Sequence, residues 1–166
     1  LGYDSLYFRF AREKPVYFSS GVSPYHIGRA AGDFRDHALT AIERDALQTI
    51  KIRAAKRTFE LKHSSVGWVS SDKALTDEEI DSIISGLLKL KISDFPAADE
   101  AAGDTGLDNP FFSAELSGNV KTARFSIGKT RPGKEKPVVR YARIEGREAL
   151  VLVSSPDVEA LVKLYN

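Results

Sequence analysis

At 166 residues, with 42% of them hydrophobic, the chain is long enough for one domain with a core, plus a fragment of a second. The 24 basic and 23 acidic side chains give a net charge of +1, so the chain lacks the overall positive excess that nucleic-acid binding requires. Cysteine is absent, which excludes disulfides, thiolate metal sites and cysteine nucleophiles.

The first 36 residues predict a β-hairpin followed by a short helix. Residues 6–20 are similar to residues 140–155, because both copies carry a Tyr-x-Arg pattern, a turn, a short apolar strand and a Ser-Pro pair that can start a helix. We therefore predict that residues 1–36 are the tail of a preceding repeat and that residues 37–166 form a complete α+β repeat domain. Agreement by chance over so few positions is the alternative.

Residues 49–63 alternate between apolar and charged side chains. Ile50 and Ile52, and then Phe59 and Leu61, fall on one side with charges on the other, which predicts a hairpin with one buried face. The segment VGWVSS that follows adds a short strand.

The clearest helix spans residues 75–92. Thr76 and Glu79 have the spacing of a capping box, and the apolar residues after them recur at helical intervals along one face. This pattern predicts a helix that covers the core.

The last third of the chain predicts two more hairpins and a second helix. The first hairpin turns at Gly118-Asn119, a pair that suits a two-residue turn, and the second turns near Glu145-Gly146. The final helix has Ser155 as its N-cap and Pro156 at its first position. The predicted fold is α+β, with antiparallel hairpins forming a sheet and two main helices packed on one face.

The run Gly128-Lys129-Thr130 is the ending of a phosphate-binding loop, but its context excludes one. Such a loop needs a glycine five positions before Gly128, where this chain has Ala123, and a helix directly after it, where this chain has Pro132. A charged loop between strands is the expected structure.

No other catalytic or metal-binding set is predicted. Ser70 and Lys73 have the spacing of a serine acyl-transfer pair, but they precede the helix that such a pair requires. The three histidines lie far apart in different elements, so we predict no metal site and no cofactor.

Five side chains are candidate binding residues: Trp68, Tyr7, Arg9, Tyr141 and Arg143. Trp68 is expected to pack in the core, with a role as a ligand platform as the alternative. The two Tyr-x-Arg pairs are expected to cover the outer face of the sheet, with a shared contact surface as the alternative.

The charge is locally polarised. Residues 129–147 carry seven Lys or Arg against two Glu, whereas residues 94–108 carry five acids and no base. Solvated strands and a solvated loop explain this distribution, and a weak docking surface is the alternative.

The order of several short motifs resembles a bacterial family, domain of unknown function 4340 (DUF4340). The motifs are LQTIKI, FELKHSSVGWVSS, a helix, TGLDNP (105–110), FSIG (125–128), YARIEG (141–146) and LVLVSS. The resemblance implies tandem repeats, a location outside the cytoplasm behind an N-terminal membrane anchor, and an association with ABC-type export or gliding-motility components. It implies no catalytic residues.

From the resemblance we expect a non-catalytic accessory or interaction domain, which binds a protein partner at a membrane assembly outside the cytoplasm. A small-ligand or glycan-binding module centred on Trp68 is the first alternative, and an enzyme of unrecognised type is the second. The sequence starts at Leu1 without a methionine, so we expect a piece of a longer protein. No apolar run in it approaches the ~20 residues needed to cross a bilayer.

Overall fold

The computed structural model describes residues 5–9, 12, 14–21, 35–54, 57–71, 75–96, 103–133 and 137–164. The chain divides into two compact units, Leu1–Asp36 and His37–Asn166. In the first unit, β1 (Ser5–Phe8) pairs antiparallel with β2 (Tyr17–Ser20). The helix predicted to follow at Ser23-Pro24 lies outside the described residues, as does Tyr165 at the end of the chain.

Within the described part of the second unit, eight strands form one antiparallel sheet in the order β5-β4-β3-β7-β8-β9-β10-β6. The strands are β3 (Leu47–Ala54), β4 (Arg57–Ser64), β5 (Gly67–Ser70), β6 (Ile92–Asp94), β7 (Phe112–Gly118), β8 (Thr122–Thr130), β9 (Val139–Ile144) and β10 (Val151–Ser154). The helices are α1 (Asp77–Lys89) and α2 (Ser155–Lys163). The predicted α+β class is confirmed at the level of an antiparallel sheet with two helices, and neither helix is long and apolar enough to span a membrane.

The alternation seen in the sequence gives the sheet one apolar face. Along β3, Ile50 and Ile52 are fully buried while the alternating residues Lys51 and Arg53 are exposed. Strand β7 also alternates, between buried and half-buried residues. One hydrophobic core unites the inward strand residues with residues of both helices; its helical members are Ile80, Ile83, Ile84, Leu87, Val158 and Leu161.

Helix α1 begins with the predicted capping box. The Thr76 hydroxyl accepts a hydrogen bond from the Glu79 N–H at 3.3 Å, and the Glu79 carboxylate accepts one from the Thr76 N–H at 2.9 Å. Because these bonds satisfy two N–H groups that would otherwise be unpaired, loss of the Thr76 side chain would cost about 1 kcal/mol.

Helix α2 begins one residue earlier than predicted. Ser154 is the residue before the first turn, and Ser155, expected as the N-cap, lies inside the helix and is buried. The Ser155 hydroxyl does not cap the helix because it hydrogen-bonds instead with Arg140 and Glu159.

The β7–β8 turn is also shifted by one residue from the prediction. The Gly118 N–H donates to the Lys121 carbonyl at 2.8 Å, so the two central residues are Asn119 and Val120. Gly118 does not have a positive φ. Glycine is required there for space, because a Cβ at Gly118 would lie 2.8 Å from the Ala46 carbonyl oxygen.

The hairpins β1–β2 and β9–β10 have the same connection length, since Phe8 pairs with Tyr17 and Ala142 pairs with Val151. In an alignment of the two hairpins based on these pairs, Ser19 corresponds to Val153. The second strand is therefore shifted by one residue relative to the alignment predicted from the sequence. The repeat, and the origin of the first unit in it, stay predictions.

Two glycines of the TGLDNP and FSIG motifs meet where a loop crosses strand β8. A Cβ at Gly128 would lie 2.2 Å from the Thr105 carbonyl oxygen, and the same carbonyl accepts the Lys129 N–H at 2.8 Å. Gly106 has a φ of +71°, which favours glycine. The motif glycines therefore allow close contact between two backbone segments.

Replacement of Gly128 by alanine should destabilise the second unit more than replacement of Gly146. At Gly128 the new methyl group meets backbone, so we expect a loss near the upper end of the ~1–3 kcal/mol that over-packing costs. Gly146 has a φ of +80° but open space around it, so Gly146→Ala should cost only about 1 kcal/mol. Urea unfolding of both variants measures the two losses of unfolding free energy. Equal losses would contradict the close contact between the loop and strand β8 at Gly128.

Candidate functional site

Tyr7 and Arg9, the candidate residues of the first unit, are both exposed. Tyr7 is 65% exposed on β1, and its ring lies 5.1 Å from that of its cross-strand partner Phe18. The rings of the neighbouring pair, Phe8 and Tyr17, are stacked at 5.6 Å, whereas those of Tyr7 and Phe18 are tilted. The hairpin thus presents aromatic side chains on both of its faces.

Trp68 lies on β5, which is an edge strand of the sheet. Its ring is half-buried against the core and lies 5.1 Å from the ring of His63 on β4. This packing is the one expected from the sequence. Five inter-strand steps of about 4.8 Å separate β5 from β9, so the structure does not bring Trp68 near the second Tyr-x-Arg pair.

Tyr141 and Arg143 both lie on the outer face of β9, but they differ in accessibility. Tyr141 is only 7% exposed and pairs across the strands with Leu152, which is fully buried. Arg143 is exposed. Of this pair, only the arginine offers its side chain to a partner.

A row of alternating charges crosses the outer face of the sheet at right angles to the strands. Each member is the cross-strand neighbour of the next, and we call this set the ion-pair row: Glu60 on β4, Lys51 on β3, Glu115 on β7, Arg124 on β8, and Glu145 just after β9. Lys51 lies 3.9 Å from both Glu60 and Glu115. Arg124 donates to Glu115 at 2.8 Å and to Glu145 at 2.9 Å.

The ion-pair row cancels most of its own charge. The hydrogen bond from Arg124 holds the pKa of Glu115 below its ordinary value, against the desolvation that would raise it. The same bond, with that to Glu145, raises the pKa of Arg124. Glu115 and Arg124 therefore stay charged and paired at neutral pH, and each carboxylate of the row lies beside a basic group of the row.

A second row lies beside the first and has a different character. Its members are also cross-strand neighbours, and we call them the arginine row: Thr58 on β4, Arg53 on β3, Ser113 on β7, Ser126 on β8 and Arg143 on β9. Within the described residues, neither the Arg53 nor the Arg143 side chain has a hydrogen-bond or ion-pair partner.

The serines of the arginine row form the floor of a shallow groove. The groove has a volume of about 270 Å³ and is bordered by Arg53 and by Lys51 and Arg124 of the ion-pair row. Both serines are half-buried, and a hydroxyl both donates and accepts hydrogen bonds. The groove is therefore open, offers hydroxyl groups among apolar atoms, and is positively charged at Arg53.

Arg140 on β9, which was not singled out from the sequence, joins β8, β9 and α2. The Arg140 side chain is 13% exposed and donates to the Ser155 hydroxyl at 3.0 Å, the Gly128 carbonyl at 3.2 Å and the Glu159 carboxylate at 3.2 Å. Its guanidinium also lies 4.2 Å from the centre of the Phe111 ring. These bonds use three of the five N–H donors of Arg140 and connect α2 to β8 and β9.

The basic segment (residues 129–147) and the acidic segment (residues 94–108) are partly paired with each other. Lys129 of the basic segment forms an ion pair with Asp104 of the acidic segment, and this bond lowers the pKa of Asp104. The strand β8 runs through Gly128, Lys129 and Thr130, so these three residues lie in a strand and not in the charged loop expected from the sequence. In the acyl-transfer pair, Ser70 ends strand β5, and Lys73 lies outside the described residues.

A second groove, of about 240 Å³, lies where the β8–β9 connection passes β6 and β10. Its polar lining includes Asp94, Thr130 and Arg131, next to apolar Val139 and Leu152. In the described ranges, no group of three His, Asp or Glu side chains could hold a metal ion.

Arg140→Met should destabilise the domain far more than Arg143→Met, although the two arginines are close neighbours on one strand. Loss of the Arg140 guanidinium removes one hydrogen bond each from the Glu159 carboxylate, the Ser155 hydroxyl and the Gly128 carbonyl, which should cost roughly 1.5–3 kcal/mol. Arg143 is exposed, so its replacement should change the unfolding free energy by no more than about 0.5 kcal/mol. Chemical denaturation measures both, and comparable losses would show that the Arg140 contacts add no stability.

The hydrogen bonds to the Glu159 carboxylate should make the domain less stable at acidic pH. The pKa of Glu159 is lowered, first by the Ser155 hydroxyl and then by Arg140, from an ordinary value of 4.5. A carboxylate with a lowered folded-state pKa stabilises the fold above its unfolded-state pKa, and this contribution is lost as pH falls through the folded-state value. The wild type should thus be more stable than Glu159→Gln at pH 7, and the gap should narrow by pH 3.

Urea unfolding at both pH values checks this effect. Glu148→Gln is the control, because Glu148 is exposed and has no side-chain partner in the described part of the chain. A gap between wild type and Glu159→Gln that is equally wide at pH 3 would contradict the assigned bonds.

Comparison with known proteins identifies a family. The family model described as "Domain of unknown function (DUF4340)" matches residues 2–110, which include the first unit and the part of the second unit up to the loop before β7. No curated protein matches the chain, and no solved structure matches it. The family match covers well over half of the sequence and agrees with the resemblance seen in the motifs. The chain belongs to the DUF4340 family.

Proposed function

We propose that this domain is a non-catalytic interaction domain that binds a partner protein with the outer face of its eight-stranded sheet. We infer that both helices cover the inner face, because their apolar residues belong to the same core as the inward strand residues. The outer face is then the broad surface left for a partner.

The observation that carries this proposal is the chemistry of the outer face. Exposed sheet faces that serve only solubility need scattered charges, whereas this face has one row of mutually paired charges next to one row with two unpaired arginines. An ordered charge pattern of this kind favours a partner in a fixed orientation, since complementary charges set specificity and register.

The setting of the interaction is proposed from the family resemblance. We propose a location outside the cytoplasm, beside an ABC-type transport assembly, with the partner supplied by that assembly. The small-ligand alternative has less support, because neither of the two grooves described above includes Trp68.

A photo-cross-linking experiment in the native host tests the outer face as a contact. A benzoylphenylalanine at Ser113, in the middle of the outer face, should yield an adduct with one partner, identified by mass spectrometry and then re-formed with the purified partner. The matched control places the same probe at Ser82, an exposed serine on α1. Adducts of equal yield from both positions, or an adduct from Ser82 alone, would contradict the outer-face proposal.

A further inference from the structure

We propose that the arginine row is a binding site for an acidic segment of extended peptide, with two carboxylates that bind Arg53 and Arg143. This inference rests on the proposed function, because it names the chemistry that the outer face would recognise. Its three observations are two unpaired arginines, two half-buried serines between them, and a groove that extends from Arg53 to Ser126.

The carboxylates near the arginine row are already engaged. Glu115 and Glu145 are both bound by Arg124, and Glu60 lies beside Lys51 and Lys62. Arg53 and Arg143 therefore present positive charge that the neighbouring row does not neutralise. An incoming carboxylate meets two open guanidinium groups, each able to form a bidentate pair.

The spacing of the row suits a peptide. Arg53 on β3 and Arg143 on β9 are separated by three inter-strand steps of about 4.8 Å, which places the two Cα positions roughly 14 Å apart. An extended peptide rises about 3.4 Å per residue, so acidic residues four positions apart span nearly the same distance. The Ser113 and Ser126 hydroxyls between the arginines can hydrogen-bond the peptide backbone in the groove.

A nucleic-acid strand fits the same surface less well. Every nucleotide of such a strand carries a phosphate, so further negative charges would lie beside the two that meet the arginines and close to the carboxylates of the ion-pair row. Two acidic side chains with neutral residues between them avoid that repulsion. We therefore assign the row to a peptide of low charge density.

The test is an amide NMR titration of the 166-residue chain with two blocked peptides of identical composition, Glu-Ser-Ser-Ser-Glu and Glu-Glu-Ser-Ser-Ser. The first peptide should shift the amide signals of Arg53, Ser113, Ser126 and Arg143, and should bind at least threefold more tightly than the second. Shifts centred elsewhere, or equal affinity for the two peptides, would overturn the assignment.

Charge-changing variants distinguish binding at the arginine row from non-specific electrostatic attraction. The double variant with Arg53→Glu and Arg143→Glu should weaken binding of the first peptide at least fivefold. If the reversed charges prevent folding, the double variant with Arg53→Gln and Arg143→Gln is used instead, and it should weaken binding by a smaller factor. The control, Lys89→Glu with Lys121→Glu, changes net charge by the same amount at exposed lysines away from the row and should stay within twofold of wild type. Equal weakening by both pairs would reject the row as the site.

A third ligand tests the chemical class. A thymidine pentanucleotide that shifted the same amides and bound more tightly than the first peptide would assign the row to nucleic acid instead. Failure of this inference is distinguishable from failure of the proposed function, because the cross-linking probe at Ser113 does not depend on the charge of the partner. An adduct from Ser113 with no peptide binding would keep the outer face as a contact and reject an acidic partner.

Discussion

Burial of a single face of an antiparallel sheet is the constraint on which the rest of this structure depends. Because side chains alternate along a strand, each inward residue such as Ile50, Ile52 or Leu116 fixes its neighbours on the outer face. A slip of one residue between two strands would bring charges into the core, so the register is strongly determined. The straight rows of polar residues on the outer face follow from that register.

Features that depend on neighbours in the chain were predictable from sequence. The capping box of α1 and the β3–β4 hairpin each rest on a pattern within a few residues, and both are confirmed. The errors at Gly118 and Ser155 have a different origin. In both cases a contact with a distant segment, the Ala46 carbonyl or Arg140, decided the local structure.

The two rows of the candidate site could not be predicted because they require the order of the strands. The sequence shows that Arg53 and Ser113 have outward positions, but not that β3 and β7, far apart in the chain, are neighbours. Arg140 was missed for a related reason. Its charge suggested solvent, whereas the first turns of α2 and the Phe111 ring cover it.

The glycines of the TGLDNP and FSIG motifs have a structural explanation that bears on function. Gly128 and Gly106 lie at a contact between backbones, and the Gly128 carbonyl accepts a hydrogen bond from Arg140. A sequence can keep such glycines for the fold alone, without any reactive group nearby. The outer face differs from this crossing, because Arg53 and Arg143 are exposed there and contribute nothing to the core. The fold does not need these two side chains, and both lie unpaired in the same row across the sheet. The requirements of a binding partner can therefore determine which residues occupy these positions.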